Sequence, residues 1–521
     1  MLSQNNVFMM KQMWLNYKKV RQFLGVRFVS LYSSLESANK EGTFTHNRWR
    51  LNNKIKGLIA LAIIAVMLVS VFAWLSMGVQ SKPNTFQPES NNPTAEPFPT
   101  SQQTTNPTPS PTETKSPTEQ SGFMNLFNSA AAALMDVISP PKPLGIIESS
   151  QTANSTMWSA VAVNAWRYFE PGVGVETTTG LPGSSADYSA FTDWDLGSYI
   201  QAVIDAQKIG LINPDGTWGS SRRLETVVRF LETRELNSTT NYPYWFYQSK
   251  DGKNYHINSD KATDVVDVTD TGRLLVALNN LRLFNSSLAT RINNIVLYGQ
   301  LFNRSNYAAL VPSIKAESLS SNSIYFYFVA SGFESFWPNE LADVGTTILN
   351  NIFSTGNVTT YGVSIPKAAI TCDPLLYSFF ELNKTDSRVQ TLLNQVYFAH
   401  EAYYNSTGKY RAFSEGPSLS GEWVWEWVVL PDGRTWVPLK TMYQNTDMSP
   451  MIYNKVALSF LSIYNTTFAK NMSVYLEKNL PNSDHGFYDG VDESGTALDN
   501  GVYCNTNGLI LAAALRVIRG Y

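Results

Sequence analysis

The chain has 521 residues, a formal net charge of −3 from 39 basic and 42 acidic side chains, and a hydrophobic fraction of 43%. That balance excludes a basic nucleic-acid binder, and four scattered histidines exclude a zinc-type cluster.

Residues 1–56 hold ten Lys/Arg against Glu36 and Glu41, so the positive-inside rule places this leader in the cytoplasm. Its segment 7–31 mixes bulky apolar residues with bases, which reads either as an amphipathic helix on anionic lipid or as a plain basic tail. Residues 57–79 carry no charge and are long enough to cross a bilayer core of roughly 30 Å. No A-x-A site follows, so the reading is an uncleaved anchor rather than a signal peptide. The expected topology is single-pass in the plasma membrane, N-terminus cytoplasmic and C-terminal domain extracellular, with the lipid bilayer a partner through residues 57–79.

Residues 80–149 are expected to be a disordered Pro/Ser/Thr-rich stalk, with nine prolines between Pro83 and Pro117. The leader contributes +8, so everything downstream sums to −11. An acidic, aromatic-rich outer domain suits a sugar partner, because aromatic rings stack on the apolar faces of pyranoses. Nine N-x-S/T sequons, all beyond residue 150, agree with an exterior location.

From residue 150 to 521 apolar periodicity predicts twelve helices, at 154–169, 192–210, 220–235, 269–283, 286–301, 324–335, 339–353, 373–382, 386–404, 449–464, 466–479 and 505–518. Six hairpins of this kind close into an all-α (α/α)6 toroid, here with a small β-hairpin insertion around the turn Pro431-Asp432-Gly433-Arg434. Every second helix opens on polar residues: Thr192-Asp193-Trp194-Asp195, Asp267-Val268-Thr269-Asp270, Ser323, Cys372-Asp373-Pro374, Asp447-Met448-Ser449 and Cys504-Asn505-Thr506-Asn507. Singly, each is explained as a helix cap. As a set, inner helices starting at one rim gather acids and rings around a common mouth. Cys372 and Cys504 each fall in one of these motifs, and a disulfide between them is one option.

Glycoside hydrolysis needs a proton-donating acid and a second carboxylate. The expected acid is Glu415, a loop carboxylate whose pKa rises beside Trp423 and Trp425; the expected base is Asp195 or Asp373. Asp270 is expected to pair with Arg273 and fix a sugar-binding guanidinium; Trp194, Trp425, Tyr488 and Asn507 complete the sugar contacts. Trp423, Trp425 and Trp427 share one strand face, which is either a sugar platform or packing surface. Asp484, Asp489, Asp492 and Glu493 lack EF-hand spacing, so no metal is expected, nor any cofactor.

The runs Thr179-Gly180-Leu181-Pro182, 192–212, 267–282, 372–382 and 484–515 resemble, in order and spacing, the domain of unknown function 3131 family. The resemblance implies a distant relation to glucoamylase-like (α/α)6 toroids that include endo-β-1,2-glucanases, with a glycan-active cleft at the N-terminal ends of the inner helices. Where that pattern has Glu-Pro at the eighth helix this chain has Asp373-Pro374, one methylene shorter. The expected function is a membrane-anchored glycoside hydrolase or transglycosylase acting on a polysaccharide or oligosaccharide. The alternatives are a non-catalytic glycan-binding scaffold and a polysaccharide lyase using His485, Tyr488 and Arg273.

Overall fold

The computed structural model describes residues 145–150, 154–255, 266–302, 304–383, 386–417, 423–441, 444–446, 448–480, 483–495 and 501–520. The leader, the expected membrane span 57–79 and residues 80–144 lie outside the described residues. Among the described residues no helix is long and apolar enough to cross a membrane.

Thirteen α-helices are described: α1 Ser155–Trp166, α2 Asp193–Ile209, α3 Ser220–Thr233, α4 Val268–Phe284, α5 Ser286–Val296, α6 Val311–Ser318 and α7 Ile324–Glu334, then α8 Val344–Ser354, α9 Cys372–Glu381, α10 Ser387–Thr407, α11 Asn454–Tyr464, α12 Thr467–Asn479 and α13 Cys504–Arg519. Helices α2, α4, α7, α9, α11 and α13 pack each on the next, and α13 closes on α2. Outside them α3, α5, α8, α10, α12 and α1 pack on α2, α4, α7, α9, α11 and α13 in turn, which makes a helical toroid. Sequence patterning shows the two layers directly. The inner α2 and α13 are buried on nearly every face, whereas the outer α3 buries Leu224, Val227, Val228 and Leu231 on one stripe and turns Arg222 and Arg229 outward, with Arg223 reaching inward to the Phe169 carbonyl and the Tyr199 hydroxyl.

The inner helices approach closely where side chains are missing. A Cβ on Gly332 of α7 would lie 2.1 Å from the Gly272 carbonyl oxygen of α4. A methyl group there forces the two backbones apart, so Gly332→Ala is expected to cost about 1–3 kcal/mol despite its better helix propensity. A denaturant midpoint equal to that of the wild type would contradict this contact.

The structure departs from the predicted elements at several points, including the fifth helix, which ends at Val296 rather than 301. The apolar run Met451–Tyr453 (β9) is a buried strand paired with Gly490–Asp492 (β10), and α11 starts only at Asn454. A short apolar run has no period to tell a strand from a helix. Helix α8 starts at Val344 because Asp343 sits in the left-handed region, at φ 65°. Helix α6, of eight residues, was too short to register as periodic. The ordered body also extends below residue 150: Ile146, Ile147 and Glu148 point their backbone N–H groups at the Glu477 carboxylate. The last residues assigned to the stalk are thus docked.

Among the small sheets, Ala190–Phe191 (β1) pairs antiparallel with Tyr247–Gln248 (β2), and the hairpin of Asn357–Thr360 (β3) and Val363–Pro366 (β4) turns at Tyr361 and Gly362, both at positive φ. The largest sheet is antiparallel, in the order Glu415–Pro417 (β5), Trp423–Val429 (β6), Thr435–Thr441 (β7), Gln444–Asn445 (β8). It contains the expected hairpin, and Glu415 lies on its first strand rather than in a loop.

Candidate active site

The starts of α2 and α4 meet at one rim. Thr192 caps α2 through its side chain, and Asp195 completes a capping box by accepting the Thr192 backbone N–H at 3.0 Å. Asp267 caps α4 by accepting the Thr269 and Asp270 backbone N–H groups. The Thr192 hydroxyl faces both Asp195 and Asp270. Burial pushes the Asp195 carboxyl up to about 7, against the Thr192 hydrogen bonds that favour its anion. Asp270 is raised well above its ordinary range, first by desolvation and then by Asp267 and Asp195. Two carboxyl groups beside one hydroxyl hold a proton at neutral pH more readily than either does alone.

Glu415 is placed by register. It pairs across strands with Trp425, so the two side chains share a face, and only 8% of Glu415 is exposed. Desolvation, and next the charge of Asp373, push its carboxyl up to about 7; Lys455, Tyr325 and Trp423 oppose the rise. Between Glu415 and Asp195 stands an aromatic wall, with the Trp194 ring centroid 6.4 Å from Tyr325 and 5.5 Å from Tyr377, and Tyr325 5.8 Å from Trp427. Trp194 Nε1, Trp427 Nε1 and Tyr377 OH have no hydrogen-bond partner among the described residues. Such donors are uncommon in a finished core.

Asp373 departs from the sequence expectation. It is fully buried, ion-paired with Lys455 at 2.9 Å and hydrogen-bonded by the Ser414 hydroxyl, so it does not stand free at the rim as a base. Its carboxylate instead neutralises Lys455, which burial pushes down in pKa but which Asp373, Asp489 and Glu415 together hold above its ordinary value. Lys455 also donates to the Glu415 backbone carbonyl at 2.8 Å. It therefore ties α9, β5 and α11 together beneath the acid. Sequence reasoning missed Lys455, although a lone lysine in Asn454-Lys455-Val456-Ala457-Leu458 is the signature of a buried partner.

Arg273 also departs. It does not pair with Asp270 but makes a bidentate ion pair with Glu381 at the end of α9, and only 1% of it is exposed. Three residues along α4 is nearly one turn deeper, which carries the guanidinium into the ring and against the Tyr377 face at 4.9 Å. Asn507 is fully buried and binds the Phe487 N–H and carbonyl, so it fastens the loop before β10 rather than facing a ligand. Trp194 is 7% exposed and forms the wall. Tyr488 is half-buried, with its backbone carbonyl accepting from Asn454. Along β6 exposure falls from 38% at Trp423 through a half-buried Trp425 to 2% at Trp427, so the outer end of the row faces solvent while the inner end is packing.

Both cysteines are free and buried, Cys372 near His400 and Cys504 near the Asp195 carbonyl. The 489–493 acids are engaged: Asp489 with the Thr506 hydroxyl, Asp492 with Ser494, and Glu493 with Arg411 and Tyr403. Among the described residues no group of His, Cys, Asp and Glu is arranged to hold a metal ion. Glu422, Asp447 and His256 lie outside the described residues.

This architecture is that of glucoamylase-like helical toroids. A protein described as a candidate glucoamylase from Bacteroides caccae matches at a TM-score of 0.52 and 14% identity, over 70% of this chain and 93% of its own. An endo-β-1,2-glucanase from Chitinophaga pinensis, solved with sophorotriose and glucose, matches at 0.50 and 15% over the same shares. Identities this low establish the fold alone. A family model described as protein of unknown function DUF3131 matches residues 160–518, and the chain belongs to that family. A search of curated proteins finds no match.

Proposed function

We propose that the chain is a membrane-anchored glycoside hydrolase or transglycosylase whose outer domain cleaves a neutral glucan at the rim of the toroid. Support comes from carboxyl groups at Glu415 and Asp195, both raised to about 7, flanking one aromatic wall. Glu415, protonated in good part at neutral pH, donates its proton to the glycosidic oxygen as the C–O bond breaks. The Asp195–Asp270 pair retains a carboxylate to serve the anomeric centre or its water. Asp373 and Lys455 act beneath the site as positioning residues.

Charge favours a neutral substrate over a uronate polymer. The guanidinium groups of Arg234 and Arg273 are committed to Asp193 and Glu381, and Lys455 to Asp373, so these cations are spent on the protein's own acids. A lyase reading loses its cation for the same reason. The endo-β-1,2-glucanase of this fold solved with sophorotriose and glucose makes β-1,2-linked glucan the first substrate to try.

The test measures reducing ends released from β-1,2-glucan and from starch by the full chain in a non-glycosidic detergent. Glu415→Gln is expected to lower kcat by about 10²–10⁴-fold with little change in glucan binding. Wild-type protein that binds glucan but releases nothing supports the second reading, a surface glycan-binding scaffold. The deep burial of Asp195, Asp373 and Glu415 is the observation that favours this alternative. The anchor at 57–79 is checked separately: alkaline carbonate must leave the chain in the membrane fraction, and external protease must remove the toroid.

A further inference from the structure

Four inner helices carry a lone charge inside an otherwise apolar run: Asp205 in α2, Arg273 in α4, Glu381 in α9 and Lys455 in α11. Three are matched, since Arg273 pairs with Glu381 and Lys455 with Asp373. Asp205 is not. It is 1% exposed, its Oδ1 accepts the Gln201 side-chain N–H at 2.8 Å, and its Oδ2 has no hydrogen-bond partner among the described residues. Burial pushes its carboxyl up to about 6, against the pull of Lys208 and Arg273.

Asp205 lines a hollow of about 440 Å³ at the C-terminal ends of α2, α4, α9 and α13, the end of the ring opposite the acid rim. That volume is within the ~300–1,000 Å³ of ordinary ligand clefts. One side is a relay of amides: the Asn280 side-chain N–H groups donate to Gln201 Oε1 at 2.8 Å and to the Glu381 carbonyl at 2.9 Å, its Oδ1 accepts from Asn383 at 2.9 Å and keeps a second lone pair, and Gln201 donates on to Asp205. The other side is apolar, with the half-buried rings of Phe284 and Phe380 beside Leu382 and Leu515.

We infer that this hollow is a second binding site, taking a neutral sugar of one or two rings by its hydroxyl edge at Asp205 and Asn280 and its apolar face at Phe284 and Phe380. Of the charges on the lining, Glu381 is neutralised from inside the ring by its ion pair with Arg273, and Asp205, without an ion pair of its own, is offset by the nearby charge of Lys208, so a charged ligand gains little net attraction there. A pyranose has the matching two-sided chemistry: hydroxyl groups that give and take hydrogen bonds on its edge, and C–H groups on its face. The unpartnered carboxyl oxygen is the group that a sugar hydroxyl satisfies. Turnover at the rim is not required for this site to bind.

The test titrates glucose and sophorose into the full chain in a non-glycosidic detergent and follows binding by calorimetry and ligand-observed NMR. Expected are two classes of site in the wild type. One class is weakened at least tenfold by Asp205→Asn and by Asn280→Ala, and untouched by Glu415→Gln. Because burial makes Asp205→Asn a risk to folding, Leu283→Trp at the mouth, where the leucine is 64% exposed, serves as the second variant and must weaken the same class. No saturable sugar binding, or wild-type titrations in the folded pocket variants, overturns the inference. Loss of all binding with Glu415→Gln alone overturns it too, by placing every sugar at the rim. Absence of hydrolysis tells against the proposed activity only, because this measurement reads occupancy and not turnover.

Discussion

Replacing Lys455 by methionine is expected to destabilise the domain by about 3–5 kcal/mol, the range for removing one member of a buried ion pair. The size follows from what is left behind. Asp373 is fully buried, and with the ammonium gone its charge faces only the Ser414 hydroxyl, while Glu415 and Asp489 lose the cation that offsets them. A methionine fills most of the volume, so packing loss is a minor part. The double variant Lys455→Met/Asp373→Asn removes the stranded charge as well and is expected to recover most of the loss. Both are read from denaturant midpoints at pH 7 with the slope checked for constancy. A single variant within about 1 kcal/mol of the wild type would show that the pair is not sealed from solvent. The same lysine holds the Glu415 backbone carbonyl, so any residual activity of the double variant also reports how far β5 depends on that bond.

The toroid was legible because its two layers obey different patterns. Outer helices such as α3 show a clean apolar stripe, and inner ones such as α13 are apolar nearly all round; both patterns survive without knowledge of neighbours. The polar starts of alternate helices were legible too, and the chain does bring Asp195, Asp270 and the Tyr325 end of α7 to one rim. What failed was the expectation of which buried charges pair. Asp270 and Arg273 are three apart on one helix, yet Arg273 chose Glu381, 108 residues away, because a buried charge takes the partner the ring presents. Asp373 and Lys455 were drawn together in the same way. The strand Met451–Tyr453 escaped because its partner Gly490–Asp492 lies almost forty residues on, and local pattern carries no record of it. The usable signal that went unread is the lone charge in an apolar inner helix, which marks Asp205, Arg273, Glu381 and Lys455 together.

Asp195→Asn is expected to make the domain more stable at pH 8 while harming its activity. The sign follows from proton binding. The folded carboxyl titrates at about 7 and an unfolded aspartate near 3.8, so between these values the folded state holds the extra proton. Below about pH 4 both states are protonated and the group contributes no difference. As pH rises through this window the wild type progressively loses stability, and above about pH 7 the penalty is full, on the order of 4 kcal/mol at most. An asparagine pays none of it, and its side-chain oxygen still accepts the Thr192 N–H that Asp195 accepts, so the cap of α2 survives. Denaturation at pH 4.5, 6 and 8 checks this: variant and wild type should nearly coincide at the lowest value and separate steadily above it. Parallel curves across all three would mean that Asp195 is already ionised at ordinary pH, reached by water and unfit to hold a proton. Glu415→Gln should show the same divergence, since burial raises that carboxyl too. On the proposed hydrolase reading, two acids held at such a cost where amides would be more stable serve proton transfer, and that is why this slope bears on function as well as on folding.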